Sequence, residues 1–144
     1  MYHYNFHIER LRASGLRPTR QRLAICKILF NRKKTFHFTI EKLKKIIEKD
    51  SRKKISLATL YNTVHAFRKK GYLKEISLIG NKTFFDTNVE NHHHFYDEDS
   101  SQLIDIKNEN ISINNLPSVP NGKKIKEIEV TIRVASNNQK QQNN

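Results

Sequence analysis

The charges of this chain are segregated along its length. Residues 1–86 carry 21 Lys/Arg against 6 Asp/Glu and residues 87–144 carry 6 against 8, so a part of net charge +15 is joined to one of −2 within a total of +13. A uniformly basic protein that coats a polyanion, or one that lies on an acidic membrane, would not be expected to partition charge in this way. A basic reader of nucleic acid joined to a near-neutral control domain would. At 144 residues the chain suffices for one ordinary domain or two small ones. The single cysteine, Cys26, excludes internal disulfides and Cys-rich zinc modules, which leaves nitrogen and oxygen as metal ligands. No apolar run reaches the ~18–20 residues that span a bilayer. The start, Met1 to His7, lacks a charged-then-apolar leader pattern, so a soluble, cytoplasmic protein with no membrane partner is expected.

In the basic part, apolar spacing predicts short helices. Over Arg20–Phe30 the buried side is Leu23, Cys26, Leu29 and Phe30, with Thr19 as N-cap, which makes Cys26 a core residue rather than a ligand. After a second cap, Thr39, the residues Ile40, Leu43, Ile46 and Ile47 recur at helical spacing and predict an amphipathic helix of about ten residues. Past the basic turn Ser51-Arg52-Lys53-Lys54, Ser56 caps a third helix whose Leu57, Leu60, Val64 and Phe67 mark a core side. Its opposite side offers Thr59, Tyr61, Asn62, His65, Arg68 and Lys69, side chains that reach bases and phosphates, and Gly71 stops it. Tyr72–Leu78 and Thr83–Asp86 then read as two strands around Gly80-Asn81. Helix, turn, recognition helix and β-wing in that order predict a winged helix-turn-helix. An isolated polar helix face is usually only solvated; the charge of +15 and the wing turn the reading toward DNA.

Residues 87–91 are polar and read as a hinge. His92–Tyr96 and Leu103–Ile106 read as paired strands around the acidic turn Asp97-Glu98-Asp99-Ser100, and Glu127–Val134 as a third strand with alternating apolar residues. Pro117 and Pro120 leave little room for a long helix. So few strands with one apolar face are poorly covered by a single copy, so a homodimer is expected. The Gln/Asn-rich residues 136–144 read as a disordered tail. The expected class is α+β: an N-terminal winged helix-turn-helix DNA-binding domain at 1–86, the hinge, and a small α/β dimerisation and ligand-sensing domain with an antiparallel sheet at 92–135.

Three consecutive histidines, His92, His93 and His94, lie between Asp86 and Asp105. Strand alternation puts His92 and His94 on one side, where they can share a ligand. It sends His93 to the other side, open between a second ligand site and a structural role. His3 and His7 carry no ligand pattern.

The segments Gly15-Leu16-Arg17-Pro18-Thr19-Arg20-Gln21-Arg22, Ser56-Leu57-Ala58-Thr59-Leu60-Tyr61-Asn62-Thr63 and Phe85-Asp86-Thr87-Asn88, with the histidine run, resemble the ferric uptake regulator family over about Ile8 to Val134. Within it, the histidines followed by Phe95-Tyr96 and by Leu103-Ile104-Asp105-Ile106 are most similar to the iron response regulators of α-proteobacteria. The resemblance implies an iron-responsive transcriptional regulator, mainly a repressor, bound as a homodimer to two-fold operator DNA. Arg17, with Arg20 and Arg22 nearby, would reach an A/T-rich minor groove, and Tyr61 with its helix the major groove. It also implies a regulatory metal site of His37, Asp86, His92, His94 and Asp105, three imidazoles and two carboxylates that suit Fe(II), Mn(II) or Zn(II). Most relatives hold a structural zinc on two Cys-x-x-Cys pairs, the first near Asp97 and Ser100. Neither position is cysteine here, which excludes a four-cysteine zinc. Likeness to the iron response regulators implies haem as the reporter of iron, with His92, His93 and His94 as its ligand site; the Cys-Pro haem motif of some members is absent.

The alternative within the same family is a metal-dependent repressor that senses Fe(II), Mn(II) or peroxide directly. A metal-dependent nuclease would share the His/Asp set and the basic charge. Five protein ligands leave little open coordination, and no nucleophile–base pair or phosphate-cradling glycine loop accompanies them, so no enzyme is expected.

Overall fold

The computed structural model describes residues 2–77 and 82–137, in two compact units, Met1–Val89 and Glu90–Asn144. Leu78 and the expected Gly80-Asn81 turn lie outside the described residues, as do the side chain of His3 and residues 138–144 of the expected tail.

The first unit holds four helices and a three-stranded antiparallel sheet: α1 (Tyr2–Ala13), α2 (Arg20–Phe30), β1 (His37–Phe38), α3 (Ile40–Ser51), α4 (Leu57–Lys70), β2 (Lys74–Ser77) and β3 (Thr83–Asp86), with strand order β1-β3-β2. Each of α2, α3 and α4 starts where the sequence places a hydroxyl cap. Thr19, Thr39 and Ser56 accept the backbone N–H of Arg22, Lys42 and Thr59 at 3.3, 3.2 and 3.1 Å. α4 closes on Gly71 at φ +88°, with Gly71 N–H donating to Arg68 and Tyr72 N–H to Phe67. The Phe67 and Tyr72 rings meet across that closure, as the motif requires. The core joins Ile25 and Leu29 of α2, Leu43 of α3, Leu60, Val64 and Phe67 of α4, and Phe38 and Phe85 of the sheet. The sequence reading lacked α1. That helix buries Leu11 and sets the Arg10 guanidinium 4.5, 4.2 and 4.4 Å from the rings of Phe6, Phe30 and Tyr72.

The second unit is a three-stranded sheet of β4 (His92–Asp97), β5 (Gln102–Lys107) and β6 (Thr131–Val134), in the order β5-β4-β6. β4 and β5 pair antiparallel, as expected, while β6 joins β4 in parallel and makes the sheet mixed. The physical reason is the long connection from Lys107 to Thr131, which supplies the crossover a parallel neighbour needs. Its only helical turn among the described residues is the 3-10 turn Asn108–Asn110. The third strand is shorter than the alternating pattern predicts, Thr131–Val134 in place of Glu127–Val134; just before it the Val130 N–H is taken by the His93 imidazole, not by the ladder. No helix among the described residues is long and apolar enough to cross a membrane.

Candidate functional site

In the first unit, core burial dictates where two candidate ligands point. Phe36 and Phe38 stack in the interior with ring centroids 5.5 Å apart, and Phe38 stacks on Phe85 at 5.6 Å. Strand side chains alternate, so His37 and Asp86 turn to the opposite face. The β1–β3 register sets them directly across from one another, with His37 Nε2 3.0 Å from Asp86 Oδ2. Asp86 is fully buried, and its Oδ1 accepts the Asn88 N–H at 2.9 Å. Beside this pair, Phe36 N–H donates to Thr87 Oγ1 at 2.9 Å and Thr87 N–H to the Phe36 carbonyl at 3.1 Å, which pins the strand ends.

In the second unit, His92 and His94 share a face of β4, and the hairpin register places Asp105 opposite His94. His92 Nε2 and His94 Nε2 lie 3.4 and 3.2 Å from Asp105 Oδ1. All three histidines of the run are buried, at 5, 3 and 3% exposure. His92 Nδ1 stands 2.6 Å from the Glu90 carbonyl. A carbonyl can only accept, so Nδ1 carries a hydrogen, and a ring neutral in this tautomer presents its Nε2 lone pair toward Asp105. A lone pair and a carboxylate oxygen this close repel unless a cation or a proton lies between them. Ligands held at ~2.1 Å from a divalent ion at tetrahedral or octahedral angles stand roughly 3.0–3.4 Å apart, the range seen here. The donor chemistry and the spacing therefore fit a divalent metal.

His93 points to the other face, where its Nδ1 accepts the Val130 N–H at 3.0 Å and braces the segment leading into β6. The acidic turn after β4 is closed by hydrogen bonds to Asp97. Asp97 accepts the Ser100 hydroxyl at 2.9 Å and the Asp99 N–H at 3.0 Å, and these bonds, the Ser100 hydroxyl first, hold its carboxyl below the usual range. Cys26 is fully buried, and burial pushes its thiol up to about 12, so it is no ligand.

The candidate nucleic-acid face is on α4. Tyr61 and Asn62 are exposed, Thr59 is half-buried with its hydroxyl 2.8 Å from that of Ser56, and the exposed His65 stacks on Tyr61 at 5.8 Å. His65 also sets its edge against Phe85 at 5.9 Å, so this ring supports Tyr61 from the sheet. Arg68 is engaged elsewhere, its Nε 2.8 Å from Glu75 Oε2. Arg17 and Arg20 are exposed, and Arg22 donates from Nη1 to the Arg17 carbonyl at 3.0 Å, which shapes the basic turn before α2. A cavity of about 300 Å³ lies between Arg20, Lys53 and Lys54 over a floor of Ala24, Ile47 and Ile55. One residue departs from the sequence reading: Leu57, assigned to the core side, is 47% exposed. Ile55, just before the Ser56 cap, is buried in its stead and joins Leu60 in the core, the staple that fixes a helix entry.

The sequence profile of the Ferric uptake regulator family matches residues 13–133. The peroxide-responsive repressor PerR of Staphylococcus aureus (strain Mu50 / ATCC 700699) is 32% identical over 100 residues, 69% of this chain and 66% of PerR, so the match spans just under two thirds of that relative. The ferric uptake regulator from Pseudomonas aeruginosa with manganese has a similar structure, with a TM-score of 0.64 and 19% identity over 90% of this chain and 97% of that one. The Vibrio cholerae ferric uptake regulator compares at a TM-score of 0.65 and 20% identity, over 90 and 98%. At these identities the structural likeness is one of fold.

Proposed function

The chain belongs to the ferric uptake regulator family, and from that premise we propose that it is a metal-responsive transcriptional repressor, not an enzyme, that binds operator DNA as a homodimer. The regulatory ion is Fe(II), Mn(II) or Zn(II), held by His37, Asp86, His92, His94 and Asp105. The observation that carries this reading is the convergence of His92 Nε2, His94 Nε2 and Asp105 Oδ1, with His92 locked in the metal-ready tautomer by the Glu90 carbonyl. On this reading the facing pair His37 and Asp86 of the first unit would complete the set. Three imidazoles and two carboxylates suit these borderline and hard divalent ions and suit Cu(I) poorly. An ion held by ligands from both units would tie the units together. Metal binding would thereby be linked to the placement of two recognition helices on a two-fold, A/T-rich operator, with each state distinguished by named contacts.

Similarity to PerR supports a second reading of the same site, in which peroxide is the signal and a ligand histidine is oxidised. Likeness to the iron response regulators supports a third, in which haem binds at His92, His93 and His94. Because these histidines are buried, haem would reach them only if β4 were uncovered. One experiment separates the three. The purified chain is analysed for bound metal, and its affinity for selected duplex DNA is measured at stated salt with chelator, Mn(II), peroxide-treated Fe(II) or haem. Tight binding that requires Mn(II) or Fe(II) and ignores haem supports the metal reading. Loss of binding with an added oxygen on a ligand histidine moves the signal to peroxide. A Soret shift that is abolished in His92→Ala/His94→Ala moves it to haem, and DNA affinity indifferent to all of them refutes the regulatory site.

A further inference from the structure

Leu57 and Tyr61 are large side chains left 47 and 43% exposed on adjacent turns of α4, in the unit that carries the chain's positive charge. A single exposed leucine is ordinary. This one is placed by its surroundings: the Ser56 cap and the burial of Ile55 and Leu60 fix the first turn, and Leu57 is the residue the staple leaves outside. Residues four apart on a helix are surface neighbours, so Leu57, Tyr61 and His65 form one stripe free of lysine and arginine. The stripe is stiffened at its far end, where His65 stacks on Tyr61 and abuts Phe85. Lys and Arg neighbours can meet phosphates; an aliphatic side chain has nothing to offer a phosphate. The apolar feature in the major groove is the C5-methyl of thymine.

Resting on the DNA-binding reading above, we propose that Leu57 is a base-reading residue that packs against a thymine methyl, with Tyr61 addressing a second thymine. Four residues along a helix advance ~6 Å, roughly two base steps at ~3.4 Å each, so the two thymines lie about two positions apart along the groove. Specificity at the first then depends on the methyl group alone, since Leu57 makes no hydrogen bond to a base edge.

The test uses the full chain and the duplex it enriches from a random library. Single thymines in that duplex are replaced by uracil, which removes only the methyl group. Wild type should lose about fourfold in affinity at each of two positions, the factor for one methyl-sized apolar contact. Leu57→Ala should bind the thymine duplex about four- to tenfold more weakly and become indifferent to uracil at one of those positions. Leu57→Met should keep both properties, and all variants should melt together, because Leu57 is outside the core. A Leu57→Ala protein with wild-type affinity and a wild-type uracil profile overturns the proposal. If wild type enriches no duplex at all, the DNA-binding reading fails first and this one with it.

Discussion

Asp105→Asn should move two properties in opposite directions. The Asp105 carboxylate faces His92 Nε2 and His94 Nε2 at 3.4 and 3.2 Å, and with Nδ1–H donated to the Glu90 carbonyl a neutral His92 turns its Nε2 lone pair toward that carboxylate when no ion is bound. Asparagine has the same shape and can turn its NH2 to that lone pair, replacing a repulsion with a hydrogen bond. A net hydrogen bond contributes ~0.5–1.5 kcal/mol; Asp105 is 35% exposed, so water competes and the lower end, ~0.5 kcal/mol, applies. For a domain of this size that is a rise of roughly 2–4 °C in Tm. Metal binding responds the other way. An ion at 100 times its Kd stabilises the wild type by ~2.7 kcal/mol, and a 100-fold loss of affinity leaves ~0.4 kcal/mol. The assay is thermal melting at pH 8 with EDTA or with Mn(II). A variant that melts below wild type in EDTA, or that keeps the full Mn(II) shift, refutes the lone-pair argument.

Burial that pushes the Cys26 thiol up to about 12 favours its neutral form in the folded state. Its stabilisation is therefore complete below the unfolded-state value and lost as pH rises from about 9, by at most ~1.4 kcal/mol per pH unit; Cys26→Ala should flatten that alkaline slope in denaturant titrations. Gly71→Ala meets no atom within 4 Å but must adopt φ +88°, so the loss of ~1–2 kcal/mol is backbone strain alone and is read as a lower urea midpoint with unchanged m. Glu75→Ala releases Arg68 and removes an acid from a basic surface, so duplex affinity should rise and the salt dependence should steepen by about one phosphate contact. Phe85→Leu removes the ring that meets His65. Sequence discrimination by Tyr61 should weaken more than overall affinity, which a comparison of selected and random duplexes would measure.

What could be read from the sequence about the fold was local. Thr19, Thr39 and Ser56 cap where their hydroxyls precede apolar periodicity, and Gly71 stops α4 because only the left-handed region lets Tyr72 N–H return to Phe67. α1 could not be read in this way. Its Arg10 is held by rings from α1, from α2 and from Tyr72 after α4, and such a seat exists only once the chain is folded. The parallel pairing of β6 was hidden for a related reason: an alternating strand pattern predicts a pleated surface and says nothing of the direction of its neighbour.

The candidate site divides along the same line. His92 and His94 are legible because alternation alone puts them on one face, and hairpin register brings Asp105 to them. His37 and Asp86 are far apart in sequence, and only family resemblance gives them a shared ligand role there; the structure gives the physical reason they face each other. Phe36, Phe38 and Phe85 claim the core, so the intervening and following residues must turn to the other face of a paired strand. Placement of this His–Asp pair is thus a consequence of core packing. The Glu90 carbonyl that selects the His92 tautomer is backbone, invisible to any reading of side chains. Leu57 departs from the i, i+3 pattern because the core side of α4 begins only at Leu60. The correct signal was present in Ile55, whose place before the Ser56 cap already fills the apolar seat and leaves the next leucine to face outward.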